Sequence, residues 1–111
     1  MSTSLSINRV DEGVSGLIVS GELDIGTSEQ LRVEVDHALK SQSPSLHLDL
    51  TGVSFIDSMG IKCLLHAASS GQEQSKPVTF ETSMQVQRIV DALGLRDRLP
   101  TQSKASRGAR G

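Results

Sequence analysis

Residues 46–65, LHLDLTGVSFIDSMGIKCLL, form the stretch that decides the fold. Three leucines alternate with polar residues at its start, and a period of two predicts a β-strand with one buried face. The pair Thr51-Gly52 predicts a turn after that strand. A helix is then expected to begin near Ser58, because apolar residues follow at helical spacing. A strand followed directly by a helix predicts an α/β unit.

Two short apolar runs and a helical pattern precede this unit. The runs Leu5–Val10 and Gly16–Glu22 are separated by a glycine-containing polar segment, which predicts a β-hairpin. Thr27 and Gln30 match the capping-box pattern, so we expect an amphipathic helix from there to about Lys40.

The remaining segments complete an alternating order of elements. Residues 70–77 predict a polar loop and Val78–Glu81 a strand. Thr82 and Gln85 match a second capping box, and Gly94 marks the end of the helix that follows. The order β-β-α-β-α-β-α predicts a single α/β domain with a small mixed sheet. We expect about four to five strands flanked by about three to four helices, with right-handed crossovers.

Composition limits the function classes. The chain has 111 residues, which suits one domain over residues 1–100, and residues 101–111 are expected to form a disordered basic tail. Residues 1–100 carry eight basic and thirteen acidic residues, so nucleic acid is not expected as a direct partner. No apolar run has the length of a membrane span and no signal segment opens the chain, so we expect a cytoplasmic protein.

Ser58 has two possible roles at the start of its helix. A serine at this position commonly serves as a plain N-cap. A helix N-terminus also offers free N–H groups and a positive dipole end to a phosphate, so phosphorylation is the alternative. Gly60 would allow a partner or kinase to approach closely, and Lys62, at i+4, could offset part of a phosphate's charge. The residues alone leave both roles open.

No pattern of residues in the sequence predicts a catalytic site. The three histidines form no cluster, and Cys63 with His66 lacks further metal ligands at supporting spacing. Asp57 and Ser58 are adjacent and cannot build a hydrolytic relay with His66. We therefore predict no enzyme, no metal and no cofactor. Asp24, in a second strand-to-helix loop, either makes ordinary turn contacts or touches a partner, and both loops are expected at one sheet edge.

Three linked motifs resemble the STAS domain family, most closely its bacterial anti-sigma factor antagonists (anti-anti-sigma factors). They are Gly21-Glu22-Leu23-Asp24, the stretch from Leu48 to Ile61 with Asp57-Ser58-Met59-Gly60, and Val86 to Leu95 with its closing Gly94-Leu95. The resemblance covers residues 5–99 in the right order and spacing. Met59 stands where the family often has a hydroxyl residue, and Lys62 where many members have a small one.

The resemblance implies a partner switch. The unphosphorylated protein would bind an anti-sigma factor, often itself a serine kinase that uses ATP, and so release a sigma factor. Phosphorylation of Ser58 would block binding, and a metal-dependent serine phosphatase would restore it. The residues expected to contact the partner are Asp24, Thr27, Asp57, Ser58, Met59, Gly60 and Lys62. The alternative is a STAS subunit of a lipid-transport or signalling complex, docked constitutively through the same surface.

Overall fold

The computed structural model describes residues 4–11, 15–99 and 101–103. In this part of the chain the elements are β1 (Leu5–Asp11), β2 (Ser15–Leu23), α1 (Ser28–Leu39), β3 (Leu46–Ile56), α2 (Ser58–Glu73), β4 (Val78–Thr82), α3 (Met84–Ala92) and β5 (Thr101–Ser103). The strands form one sheet in the order β1-β2-β3-β4-β5. β1 and β2 pair antiparallel as the predicted hairpin, and the other neighbours pair parallel. The predicted α/β fold with a mixed sheet is confirmed.

The alternating leucines of β3 build the centre of the core. Leu48 lies between Leu17 of β2 and Phe80 of β4 in the sheet register, and all three side chains are buried. The apolar stripes of α1 and α2 join the same cluster. Burial of apolar side chains is the main favourable term in folding. The core therefore fixes how the carboxyl ends of β2 and β3 and the helices that follow them are arranged.

β3 is longer than its leucine pattern predicts. The turn predicted at Thr51-Gly52 is wrong, because β3 continues through both residues to Ile56. The pairing of β3 with β2 contains two register shifts of the kind that a β-bulge makes. One lies between Ile18 and Ser20 of β2, and the other between Gly21 and Glu22. A bulge accommodates an extra residue without ending the strand, so β3 reaches the same edge as β2.

Helix ends also differ in part from the predictions. α2 continues to Glu73, which shortens the predicted loop of residues 70–77. The second capping box is wrong, because Ser83 caps α3 by accepting a hydrogen bond from the Val86 N–H at 3.3 Å. Gly94 follows α3 as predicted, at a φ of 68° that suits glycine.

The segment predicted as a disordered tail begins with a strand. Residues 101–103 form β5, which pairs parallel to β4, with Thr101 beside Phe80. The predicted boundary at residue 101 is therefore wrong, since those three residues are held by sheet hydrogen bonds. Residues 104–111 lie outside the described residues. No helix in the described part of the chain is long and apolar enough to span a membrane.

Candidate partner-binding site

The two loops expected at one sheet edge do lie side by side. β2 and β3 end together, with Leu23 paired to Ile56 in the sheet. Asp24 and Asp57 are the next residues, and each lies at the start of a connection to a helix. The Asp57 N–H donates to the Leu23 carbonyl at 3.2 Å, which extends the contact beyond the strands. The carboxyl edge of the sheet thus brings the Asp24 and Ser58 segments together.

Asp57, rather than Ser58, caps α2. Its Oδ1 accepts a hydrogen bond from the Gly60 N–H at 3.0 Å, and its Oδ2 accepts one from the Ile25 N–H at 3.1 Å. The first of these bonds satisfies a free donor of the first helical turn. Of the two roles left open for Ser58, the N-cap role is therefore excluded. Ser58 is instead the first residue of the helix, and its hydroxyl makes no hydrogen bond to any described residue.

Thr27 holds the Asp24 loop in shape from inside. Its Oγ1 donates to the Glu22 carbonyl at 2.6 Å and accepts from the Asp24 N–H at 3.0 Å. The predicted capping box is wrong here too, because the Thr27 side chain makes no cap bond and Gln30 donates to a carbonyl of β1. Thr27 and Asp24 are both buried, so they support the loop from below its surface.

Three large apolar side chains in or next to the two loops are exposed, as is Ser58. Ile25 is 73 % exposed, Phe55 50 % and Met59 36 %, and Ser58 is exposed as well. We call these four residues the edge patch. Ile25 and Phe55 are not among the residues predicted from sequence. Ile25 lies in a turn between Asp24 and a glycine and is not part of the apolar pattern of a strand or helix. This position could have indicated an exposed apolar side chain.

Gly60 shapes the site from a buried position. A Cβ at residue 60 would lie 2.5 Å from the Leu23 carbonyl oxygen and 2.7 Å from Cγ1 of Ile56. The prediction that this glycine admits a partner is corrected, because the close neighbour is the protein's own strand β2. The missing side chain allows the first turn of α2 to pack against the sheet edge.

A groove between α1 and α2 opens beside Met59. It has a volume of about 240 Å³, and its walls include Glu29 and Arg32 of α1 and Met59, Lys62, Cys63 and His66 of α2. Arg32 pairs with Glu29 at 2.5 Å and with Asp36 at 3.2 Å. The hydrogen bond from Arg32 lowers the pKa of Glu29. His66 Nε2 lies 3.1 Å from an oxygen of Asp36.

Cys63 belongs to the packing between the helices. Its Sγ lies 3.5 Å from the Ser28 carbonyl oxygen, and burial raises the pKa of the thiol to about 12. A thiol with so high a pKa is a poor nucleophile and metal ligand at neutral pH. Among the described residues, no group of three or more His, Cys, Asp or Glu side chains is placed to hold a metal ion.

Residues 8–101 match the family model described as Mlab, STAS domain. The chain belongs to the STAS domain family. An anti-sigma-B factor antagonist of Listeria monocytogenes is 31 % identical to this STAS domain over 98 residues, which are 87 % of this chain and 86 % of that protein.

Solved structures share the fold of this STAS domain. The crystal structure of an anti-sigma factor antagonist from Mycobacterium paratuberculosis superposes with a TM-score of 0.76 at 26 % identity, over 89 % of this chain and 86 % of that one. The Bacillus cell fate determinant SpoIIAA in its phosphorylated form gives a TM-score of 0.66 at 17 % identity, over 96 % of this chain and 98 % of that one. The second likeness concerns the fold alone.

Proposed function

We propose that this STAS domain is an anti-sigma factor antagonist whose binding is switched off by phosphorylation of Ser58. The observation that carries the proposal is the exposed Ser58 hydroxyl, which bonds to none of the described residues and lies at the end of the sheet where Ile25 and Met59 are exposed. The Listeria relative, an anti-sigma-B factor antagonist, supports the choice of partner class. The protein acts by binding, and its partner is an anti-sigma factor that is also a serine kinase using ATP.

Phosphorylation would change the edge patch more than the fold. A phosphate on Ser58 adds a charge of about −1.5 to −2 next to Asp57. The N-terminal end of α2 and Lys62, one turn along, offset part of the repulsion. SpoIIAA, which shares the fold, has been solved in a phosphorylated form. A partner pressed onto Ile25 and Met59 would have to desolvate that charge, which is costly.

The predicted contact residues divide into two groups under this proposal. Ser58, Met59 and Lys62 are exposed and touch the partner. Asp24, Thr27 and Gly60 are buried and set the shape of the edge, while half-buried Asp57 holds the two loops together. A metal-dependent serine phosphatase would restore binding. Because a sigma factor works with RNA polymerase, the proposed role places the protein in the cytoplasm.

A second candidate is a STAS subunit of a lipid-transport or signalling complex. The description of the family model that matches the chain, Mlab, STAS domain, does not name an anti-sigma factor antagonist, so it leaves room for this candidate. In that role the edge patch would dock constitutively and Ser58 would stay unmodified. The two candidates differ in what a negative charge at residue 58 does to binding.

The proposal is tested by intact-mass measurement after incubation with ATP and each candidate anti-sigma factor kinase of the source organism. We expect one phosphate on the wild type and none on Ser58→Ala. Ser54→Ala is the matched control, because Ser54 is also exposed at this end of β3 and should not affect labelling. If Ser58→Ala is labelled as well as the wild type, Ser58 is not the acceptor.

Binding to the same anti-sigma factor separates the two candidates. We expect Ser58→Asp to lose binding and Ser58→Ala to bind even in the presence of ATP. Ser54→Asp controls for added charge away from the first turn of α2. Binding of Ser58→Asp to the anti-sigma factor at wild-type affinity would contradict the switch, and failure of every anti-sigma factor to bind the wild type would instead favour the constitutive subunit.

A further inference from the structure

We propose that Lys62 is a shared cation, which pairs with a carboxylate of the docked partner while Ser58 is bare and with the phosphate once Ser58 is modified. The inference rests on the proposed function and deepens it. It names the kind of side chain that the partner places in the α1–α2 groove, and it makes loss of that ion pair part of the switch.

Among the described residues, Lys62 is the cation of the groove that has no carboxylate partner. Arg32 is already held between Glu29 and Asp36, and His66 also lies against Asp36. Lys62 is exposed and forms no ion pair with any described residue. A partner carboxylate would therefore gain an interaction here without breaking one that already exists.

The position of Lys62 on α2 gives it access to both anions. Residues four apart on a helix are neighbours on one face, with Cβ atoms about 5–6 Å apart, so the ammonium can reach a phosphate on Ser58. Lys62 also lines the groove beside Met59, at the margin of the edge patch. The lysine stem is flexible enough to serve either position.

The groove suits an acidic side chain. Exposed Met59 supplies an apolar contact for the stem of a partner glutamate, and Lys62 would meet its carboxylate. A basic partner side chain would be repelled by Lys62, and the groove's own Glu29 is already engaged by Arg32. We therefore expect the partner to place a carboxylate at this point of the interface.

The phosphate would win this competition because it is attached to the same helix. An intramolecular partner acts at a high effective concentration, whereas the anti-sigma factor must dock from solution. Modification of Ser58 would then remove an attractive contact in addition to placing charge under the partner. The switch would combine repulsion with withdrawal of Lys62.

The phosphate half of the inference is tested without any kinase or partner. Phosphoserine is installed at residue 58 by genetic encoding, and the phosphate is titrated by ³¹P NMR. We expect Lys62→Gln to raise the second pKa of the phosphate, because a nearby cation favours the dianion. Lys40→Gln is the matched control, since it removes the same charge from an exposed position beyond the other end of α1. Equal phosphate pKa values in the wild type and Lys62→Gln would overturn the inference.

The partner half is tested with the anti-sigma factor that binds in the experiment above. We expect Lys62→Gln to weaken binding of the unphosphorylated protein by about two- to fivefold, the range of an exposed ion pair, and Lys62→Glu to weaken it further. The loss should shrink as salt is raised, and Lys40→Gln should have no effect. Unchanged affinity of Lys62→Gln would overturn this half. Failure of every anti-sigma factor to bind would instead contradict the proposed function, and the ³¹P titration would still decide the role of Lys62 toward the phosphate.

Discussion

The backbone N–H of Ile25 donates a 3.1 Å hydrogen bond to Oδ2 of Asp57, 32 residues further along the chain. The other carboxylate oxygen of Asp57 accepts from the Gly60 N–H at 3.0 Å. One side chain therefore caps α2 and ties the Ile25 loop to it. This carboxylate therefore holds the Ile25 loop against the first turn of α2, where Ser58 lies.

Asp57→Ala is expected to lower the free energy of unfolding by about 1–3 kcal/mol, because a helix cap and a second backbone hydrogen bond are both lost. Urea unfolding measures the loss. Hydrogen exchange of the Ile25 amide should accelerate more than global unfolding accounts for, since that N–H loses its acceptor. Asp57→Asn keeps a single oxygen and should fall between the wild type and Asp57→Ala. Unchanged protection of the Ile25 amide in Asp57→Ala would contradict the bridging role.

Gly60→Ala is expected to destabilise the protein although alanine favours helices. The added Cβ would lie 2.5 Å from the Leu23 carbonyl oxygen, and overpacking of this kind costs about 1–3 kcal/mol. That loss exceeds the gain in helix propensity of about 1 kcal/mol. Ser69→Ala, at an exposed position of the same helix, is the control and should be neutral or slightly stabilising. Thermal unfolding distinguishes the two, and a stabilised Gly60→Ala would contradict the packing argument.

The order of elements was predictable because it depends on patterns that are local in sequence. The alternating leucines from Leu46 to Leu50 predicted β3, and apolar residues at helical spacing predicted α1 and α2. The end of β3 was not predictable in this way. A Thr-Gly pair has the same chemistry in a turn and in an irregular strand, and the pairing with β2 decides between them.

The site was predictable in place but less so in detail. The position of Ser58 after a parallel strand located the sheet edge, and Asp24 marked the second loop. Asp57 and Ser58 are both good capping residues, so the local sequence could not show which of them caps α2. The exposure of Phe55 depends on where β3 ends relative to the helices, and this is a tertiary property.

Cys63 is expected to remain unreactive in the folded protein. Burial raises its pKa from an ordinary 9.0 to about 12, so alkylation by iodoacetamide at about pH 8 should require unfolding. Well below pH 9.0 the thiol is neutral in both the folded and the unfolded state and gives no pH dependence. Between pH 9.0 and about 12 the unfolded chain loses the proton first, so stability falls as pH rises. Urea unfolding measures the free energy of unfolding at about pH 8 and about pH 10. Between these two pH values it should fall less in Cys63→Ala than in the wild type. An equal fall, or rapid alkylation of the folded wild type, would contradict burial of the thiol.

Ile25→Glu is expected to abolish docking without harming the fold. Ile25 is 73 % exposed, so its replacement leaves the core intact. The free energy of unfolding should therefore change by less than about 0.5 kcal/mol. In the proposed interface the same side chain is buried beside Ser58, and a buried charge there should weaken anti-sigma factor binding by more than about tenfold. Leu93→Glu is the matched control, because Leu93 is 57 % exposed but follows the far end of α3. Calorimetric titration of both variants against the same anti-sigma factor measures the difference. If the two variants bind equally well, the partner does not cover Ile25 and the edge patch is not the docking surface.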